Sequence, residues 1–310
     1  MCKVTISTYE LMKKFPDDDS ARLYLEEKRW NGKPVCPKCG GIESQYKQKR
    51  DGKAGYYRCH HCKLVYTVRT GTIFERSHVS LDKWLFAFYL VLTSRKGISS
   101  LQLSKEIGVR QATAWFMQHR IREACEDDND SNGFLRGIIE ADETYIGGKE
   151  SNKHDSKKLK AGRGTVGKMA VLGMRERGGN FKGKVLEDTT ANTIQAELNA
   201  VIADGSILCT DEHRSYIGNK FTHVAVNHSA KQYIDGMAHT NGIESVWAVL
   251  KRGFYGTYHS FSKKHLQRYV NEFGFRLNDG NVKVHTMDRM DALLRKAFGR
   301  RLSYASLVAQ

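Results

Sequence analysis

Residues 137–148 read GIIEADETYIGG. Ile138 and Ile139 open a short apolar run that delivers Asp142 and Glu143, with Tyr145, Ile146 and a glycine pair behind them. An apolar strand ending on a carboxylate is a common way to build a metal site. Two later stretches can complete it. GSILCTDEHRSY, residues 205–216, carries Asp211 at the end of a second apolar run, and HTNGIESVWAVLKRG, residues 239–253, carries Glu244 near the start of a helical pattern. Three carboxylates on separate elements of a basic chain point to metal-dependent phosphoryl transfer on nucleic acid.

The basic character is plain in the totals. Lys and Arg number 50 against 34 Asp and Glu, a formal charge of +16 over 310 residues, which favours a polyanionic partner. With 40% hydrophobic and 27% charged residues the chain reads as soluble and folded, long enough for two or three domains. The best apolar run, Trp84 to Leu92, is half the length a membrane span requires, so no span is expected. The opening MCKVTISTYELMKKFPDDD has no signal-peptide core, and a cytoplasmic location is expected.

Seven cysteines without a secretion signal argue against a disulfide framework. Four of them form two CxxC pairs, Cys36 with Cys39 and Cys59 with Cys62, nineteen residues apart. Each CxxC turn can aim both sulfurs at one ion, and four thiolates at this spacing suit a tetrahedral structural Zn²⁺ with no open position for catalysis. Short strands are expected over 44–50, 56–58 and 64–69, giving a zinc ribbon over 32–70. Its basic and aromatic residues, among them Tyr46, Lys47, Arg50, Tyr56 and Arg58, suit contact with DNA as well as they suit a solvated face. Cys2, Cys125 and Cys209 stand alone and read as packing residues.

Ahead of the ribbon, residues 1–31 form a helical segment. Ser7 or Thr8 is placed to cap one helix and Asp19 or Ser20 the next, which ends at Trp30. Behind it, 78–126 holds three helical patterns. Ser80 is placed to cap the first, which carries Trp84, Leu85, Phe88, Tyr89 and Leu92; Ser99 and Ser100 start the second, and Gly108 turns the chain into a third over 109–125. Helix, glycine turn, helix is a helix-turn-helix pattern, with Arg110, Gln111 and Thr113 at the start of the recognition helix as DNA contacts; a plain three-helix bundle fits the same pattern.

The polar stretch EDDNDSNG, residues 126–133, marks a domain boundary. The last domain is expected over 134–300, with a first strand over 134–141 and further strands over 169–175, 181–186, 206–209 and 220–227. A helix capped by Thr189 or Thr190 lies among them. Carboxylates at strand ends in this order match a ribonuclease H-like fold. The loop 149–168 is rich in cations, and Lys157, Lys158, Lys160 and Arg163 suit a DNA backbone, although a surface insertion reads the same way. Asn241 is placed to cap the helix that bears Glu244. Because Glu244 follows three positions later, a capping partner is its competing reading. Lys251, two turns beyond Glu244, can reach phosphate oxygens.

Together GIIEADETYIGG, CTDEHRSY and HTNGIESVWAVLKRGFYGTYHSFSKKHLQRYVNEFGFR resemble the bacterial insertion-sequence transposases of the ISXO-two-like group, and the resemblance runs from the cysteine pairs to about Leu277. It implies a multi-domain chain: zinc ribbon, helix-turn-helix segment and α/β ribonuclease H-like DDE catalytic domain. It carries the acidic positions onto Asp142, Asp211 and Glu244 and the family lysine onto Lys251, with Asn241 as an alternative third ligand. It implies Mg²⁺ or Mn²⁺ held by the three acids, cleavage at the ends of an insertion element, and joining of the freed 3′-OH to target DNA. The implied partners are double-stranded DNA, as element terminal repeats and target, and a second copy of the chain, a homodimer or larger on DNA at the nucleoid. Glu143 and Glu212, next to the key aspartates, are expected to point away or to support them. A ribonuclease H-like nuclease or resolvase without strand transfer would use the same carboxylates. A zinc-ribbon DNA-binding regulator would leave them without a task.

Overall fold

The computed structural model describes residues 5–42, 45–50, 53–126, 133–148, 150–159, 164–211, 216, 218–226 and 239–309, the side chains of 45–50, 53, 157 and 226 excepted. The chain divides into two compact units. One comprises residues 1–94, 98–125 and 279–310, and the other 95–97 and 126–278. Residues 279–300, expected with the catalytic domain, pack with the N-terminal unit instead.

In the first unit, α1 (Thr8–Lys14) starts on a reciprocal capping box in which Ser7 Oγ accepts the Glu10 N–H and the Glu10 carboxylate accepts the Ser7 N–H. Helix α2 (Asp18–Trp30) is capped by Asp17, whose Oδ1 accepts the Ser20 N–H at 2.8 Å, so the cap lies ahead of the expected Asp19 or Ser20. The reason is reciprocity: Ser20 sits at the third helical position and bonds back to Asp17. A three-stranded antiparallel sheet follows, β1 (Gln45–Arg50), β2 (Lys53–Cys59) and β3 (Val65–Tyr66), in the order β1-β2-β3. It leans on α2 through aromatic edges, Trp30 standing 5.1 Å from Tyr57 and 5.9 Å from Tyr66.

Helices α3 (Leu81–Thr93), α4 (Ser100–Ile107), α5 (Gln111–Ala124), α9 (Thr286–Ala297) and α10 (Tyr304–Val308) complete this unit. Helix α3 is buried on nearly all sides, because α2, α4 and α9 all pack on it. Ser80 occupies the N-cap position of α3, yet its side chain makes no capping bond. The Leu81 N–H instead donates to Asp18 at 2.5 Å, a carboxylate that also pairs with Arg69 at 3.0 Å. Gly108, left-handed at φ 63°, ends α4, and α5 begins at Gln111 rather than at Val109.

The second unit is a five-stranded sheet in the order β6-β5-β4-β7-β8. Its strands are β4 (Ile138–Ile146), β5 (Met169–Glu176), β6 (Phe181–Leu186), β7 (Ile207–Asp211) and β8 (Thr222–Val226). The pairs β6-β5 and β5-β4 are antiparallel, and β4-β7 and β7-β8 are parallel. Helix α6 (Ala191–Val201), capped by Thr190, covers one face over Ile139, Ala141, Leu172 and Leu208. Helices α7 (Asn241–Gly253) and α8 (Leu266–Leu277) belong to the other core, with Ile146, Val171 and Phe181. A mixed sheet with helices on both faces is an α/β domain of ribonuclease H-like character. The first strand is later and longer than expected, 138–146 rather than 134–141, so Asp142 lies mid-strand and not at a strand end. The polar run Glu140–Tyr145 hid this. Alternation puts Glu140, Asp142 and Thr144 on one face, where helix α7 covers them.

Candidate active site and zinc centre

The zinc ribbon is built from two matching turns. The Cys36 N–H donates to the Gly41 carbonyl at 3.0 Å and the Gly40 N–H to the Cys36 carbonyl at 2.9 Å. Likewise the Cys59 N–H donates to the Leu64 carbonyl at 2.9 Å and the Lys63 N–H to the Cys59 carbonyl at 3.0 Å. Both turns close through a left-handed residue, Gly40 at φ 70° and Lys63 at φ 60°. The four sulfurs lie within 4.8 Å of one another, with Cys36–Cys62 and Cys39–Cys59 at 3.5 Å. Sulfurs bound tetrahedrally to one zinc at about 2.3 Å stand about 3.8 Å apart, so the cluster fits the ion. The Cys62 N–H aimed at the Cys59 sulfur holds that thiol low, toward the thiolate that zinc requires. A sheet this small buries little core of its own and leans on the metal as well as on α2. Cys36→Ser or Cys59→Ser is therefore expected to release about one zinc per chain and loosen residues 32–70, read by metal analysis and hydrogen exchange. Zinc loss with unchanged protection of 32–70 would contradict the structural role.

The three carboxylates belong to β4, β7 and α7 of the second unit. Asp142 stands in the middle of β4 and Asp211 at the C-terminal end of β7, the strand that runs parallel beside it. Glu244 lies in the first turn of α7 and is exposed. The Asp142 carboxyl is pushed up to about 6, first by burial, then by the charge of Asp211, with a further contribution from Glu244. The Trp247 Nε1–H donates to Asp142 Oδ2 at 3.0 Å and opposes the rise. Trp247 can come this close because β5 has Gly173 beneath it: a Cβ there would meet the indole at 2.5 Å. The three acids are less tightly gathered than the cysteines, which form the metal-ligand group found among the described residues.

Two domains recognised from known proteins overlie this geometry. The ISXO2-like transposase domain matches residues 134–278, and the transposase zinc-ribbon domain matches residues 16–65. The chain thus carries an ISXO2-like transposase domain behind a transposase zinc ribbon. A protein in transposable element ISH50 of Halobacterium salinarum is 28% identical over 278 residues, 86% of this chain and 92% of its own length. Among solved structures, the Mos1 strand transfer complex gives 14% identity over 62% of this chain and 75% of that chain, with a TM-score of 0.21. The Mos1 paired-end complex gives 14% over 62% and 76%, with a TM-score of 0.20. Likenesses of that size carry no argument about this chain. The matched domains support a transposase-type nuclease and strand-transfer activity in general terms.

Within the ISXO2-like domain the residue that sequence reading passed over is Glu140. It is 1% exposed, two positions before Asp142 on the same face of β4. Its Oε2 accepts the Ile243 N–H at 3.0 Å, and Oε1 meets Arg177 Nε and His239 Nδ1, each at 3.2 Å. Glu140 thus caps α7, the task expected of Asn241, which is the first residue of the helix rather than its cap. Gly242 makes room, since a Cβ there would stand 2.5 Å from Glu140 Oε2. The signal available in the sequence was the glycine itself, in the motif HTNGIE. Glu244 accepts a bond from the Thr240 hydroxyl at 3.1 Å, so its local partner is Thr240 and not Asn241.

The other expected site residues are spread. Lys251 is exposed at the far end of α7. Arg110 and Gln111 are exposed at the start of α5, with Thr113 half-buried. Lys158 is ion-paired with Asp155 at 2.6 Å. Lys160, Arg163 and Glu212 lie outside the described residues, as does the side chain of Lys157. Glu143 points to the α6 face, beside the buried phenol of Tyr216, whose ionisation is opposed first by burial and then by the Glu143 charge. Among the described residues no helix is long and apolar enough to cross a membrane.

Proposed function

We propose that this chain cleaves the ends of an insertion element and joins the resulting 3′-OH ends to target DNA, with Asp142, Asp211 and Glu244 as the acidic residues of the reaction. The observation that carries the reading is the convergence of three carboxylates from β4, β7 and α7, close enough that the charges of Asp211 and Glu244 add to burial in making Asp142 a weaker acid. The donors fit Mg²⁺ or Mn²⁺: all are hard carboxylate oxygens, and their mutual repulsion is relieved by a cation. When bound, such ions stabilise charge on the phosphoryl oxygens and favour ionisation of the attacking hydroxyl.

The protein's own residues hold and orient. Trp247 fixes the Asp142 carboxylate through its indole N–H. Glu140 pins the start of α7 to β4, which sets Glu244 opposite Asp142. Lys251, on the same helix, takes up phosphate charge. In the first reaction water adds to phosphorus and the P–O3′ bond breaks, leaving a 3′-OH on the element. In the second, that 3′-OH attacks a target phosphodiester and expels a target 3′-OH, so no bond to the protein forms. Arg110, Gln111 and Thr113 of α5, with the ribbon, supply end recognition. Lys157, Lys158, Lys160 and Arg163 lie along the backbone. Two ends must be handled together, which calls for at least a dimer on DNA.

The test is a Mg²⁺-dependent cleavage and strand-transfer assay on an element-end duplex. Asp211→Asn and Glu244→Gln are expected to lower both reactions by at least a hundredfold while DNA affinity stays within a few fold. Near-normal cleavage by Glu244→Gln with an inactive Asn241→Ala moves the third position to Asn241. Cleavage without any strand transfer by the wild-type chain identifies a nuclease or resolvase.

A further inference from the structure

Helix α7 does not end cleanly. Its last turn widens into a π-helix over Phe254–Tyr258, and the chain leaves it through His259 in a left-handed conformation at φ 60°. One-turn π-helices are uncommon and concentrate at functional places, because the wider turn redirects a side chain. Here two of the ring-bearing residues anchor the turn. Phe254 is buried against Phe261 at 5.0 Å, and Tyr258 packs on Phe261 and Tyr269 at 5.3 and 5.0 Å while its hydroxyl donates to Glu272 at 3.2 Å. The third ring, Tyr255, is 57% exposed. It meets the Phe254 ring edge to face at 5.0 Å and is otherwise open to solvent, and an aromatic ring so anchored can serve as a stacking platform.

Its surroundings are cationic. Lys251 and Arg252, four and three positions earlier, are exposed. Arg95 and Lys96, exposed in the segment 95–97 that packs with this unit, border the same turn: the Lys96 carbonyl faces Gly253, and Gly97 abuts the Tyr258 hydroxyl so closely that a Cβ would stand 2.1 Å from it. None of the four cations is ion-paired among the described residues. Unpaired charge of one sign around a bare aromatic ring is the arrangement that binds a single nucleic-acid strand, the cations tracking phosphates and the ring taking a base. Tyr255 lies eleven residues beyond Glu244, about 16 Å along the helix, or about five nucleotide steps.

We propose that Tyr255 stacks on an unpaired nucleobase of the DNA strand near the point of cleavage, with Arg95, Lys96, Lys251 and Arg252 holding that strand's phosphates. The proposal rests on the reading of the chain as a DNA-cleaving transposase and adds a single-stranded binding site to it. A solvent-facing tyrosine on an ordinary surface would have no use for the buried aromatic base beneath the turn or for unneutralised cations around it.

The test uses the full-length zinc-loaded chain in Mg²⁺-free buffer and two fluorescein-labelled probes, a blunt 20-base-pair duplex and the same duplex with a five-nucleotide 3′ oligo-dA extension. The wild-type chain is expected to prefer the extended probe. Tyr255→Ala is expected to weaken binding to the extended probe about tenfold and to the blunt probe less than twofold. Tyr255→Phe retains the preference, because the ring and not the hydroxyl does the stacking. The unfolding midpoint of Tyr255→Phe is expected to match wild type and that of Tyr255→Ala to fall only slightly, since the ring is 57% exposed and its aromatic contact is with Phe254. An undiminished preference in Tyr255→Ala, or an equal loss on both probes, overturns the stacking site while leaving the DNA reading intact. Failure of the wild-type chain to bind either probe overturns the DNA reading itself.

Discussion

Asp142→Asn is expected to stabilise the metal-free chain above pH 7 while abolishing Mg²⁺-dependent cleavage. The Asp142 carboxyl titrates near 6 in the folded chain, driven there first by burial and then by Asp211, against about 3.9 in an unfolded one. A raised carboxyl means that the folded state binds its proton more tightly. Between pH 4 and pH 6 the folded chain therefore holds more protons than the unfolded chain, and stability falls as pH rises through that window. Below it the penalty is absent, and above it the penalty is complete, at most about 3 kcal/mol for a shift of about two pH units. Asn keeps the shape and the acceptor for the Trp247 indole and removes the charge. Denaturation at pH 4 should therefore separate wild type and variant little, and at pH 7.5 by about 1–3 kcal/mol. Mg²⁺ should raise the wild-type unfolding midpoint and leave the variant's nearly unchanged. A variant less stable than wild type at pH 7.5 would mean that the carboxylate is satisfied by the protein alone.

Glu140→Ala has the opposite sign and a larger size. The substitution leaves the half-buried Arg177 guanidinium and the buried Ile243 N–H at the start of α7 without their shared acceptor. Breaking a buried ion pair from one side costs about 3–5 kcal/mol when the surviving charge stays buried, and because the Arg177 side chain is 26% exposed and keeps the His239 carbonyl the loss is expected at the lower end of that range. Urea denaturation should show a loss of that order in the second unit. The ribbon should keep its zinc, since its ligands all lie in the other unit. Glu140→Gln keeps one acceptor and should lose less. A loss below about 1 kcal/mol for the alanine variant would show that Arg177 and the helix end find water instead.

Much of the molecule was legible before any coordinates. The zinc centre was, because each CxxC turn is local: its bonds span four or five residues, and the left-handed positions that close it lie next to the cysteines. Asp142, Asp211 and Glu244 could be singled out as residues, through apolar runs and a helical pattern that lead to them, and the catalytic role given to them is the proposal above. Their arrangement was not. The strand bearing Asp142 was read too early, because Glu140, Asp142 and Thr144 look too polar for a covered face. That face is covered only because α7, about a hundred residues later, lies across it.

What the sequence by itself determined, then, was the local chemistry: thiol pairs, caps such as Ser7 and Thr190, and the carriers of carboxylate charge. Tertiary structure alone decided what caps α7, since Glu140 and the Ile243 N–H it accepts are 103 positions apart. It alone decided why Gly173 and Gly242 must be glycine, one beneath Trp247 and the other beneath Glu140. It also placed 279–310 with the N-terminal unit, beyond the reach of any pattern in adjacent residues. The physical reason is common to all three. Hydrophobic periodicity tells a residue which way to face, and cap chemistry tells a helix where to start, but neither carries information about which distant element will arrive to fill the space.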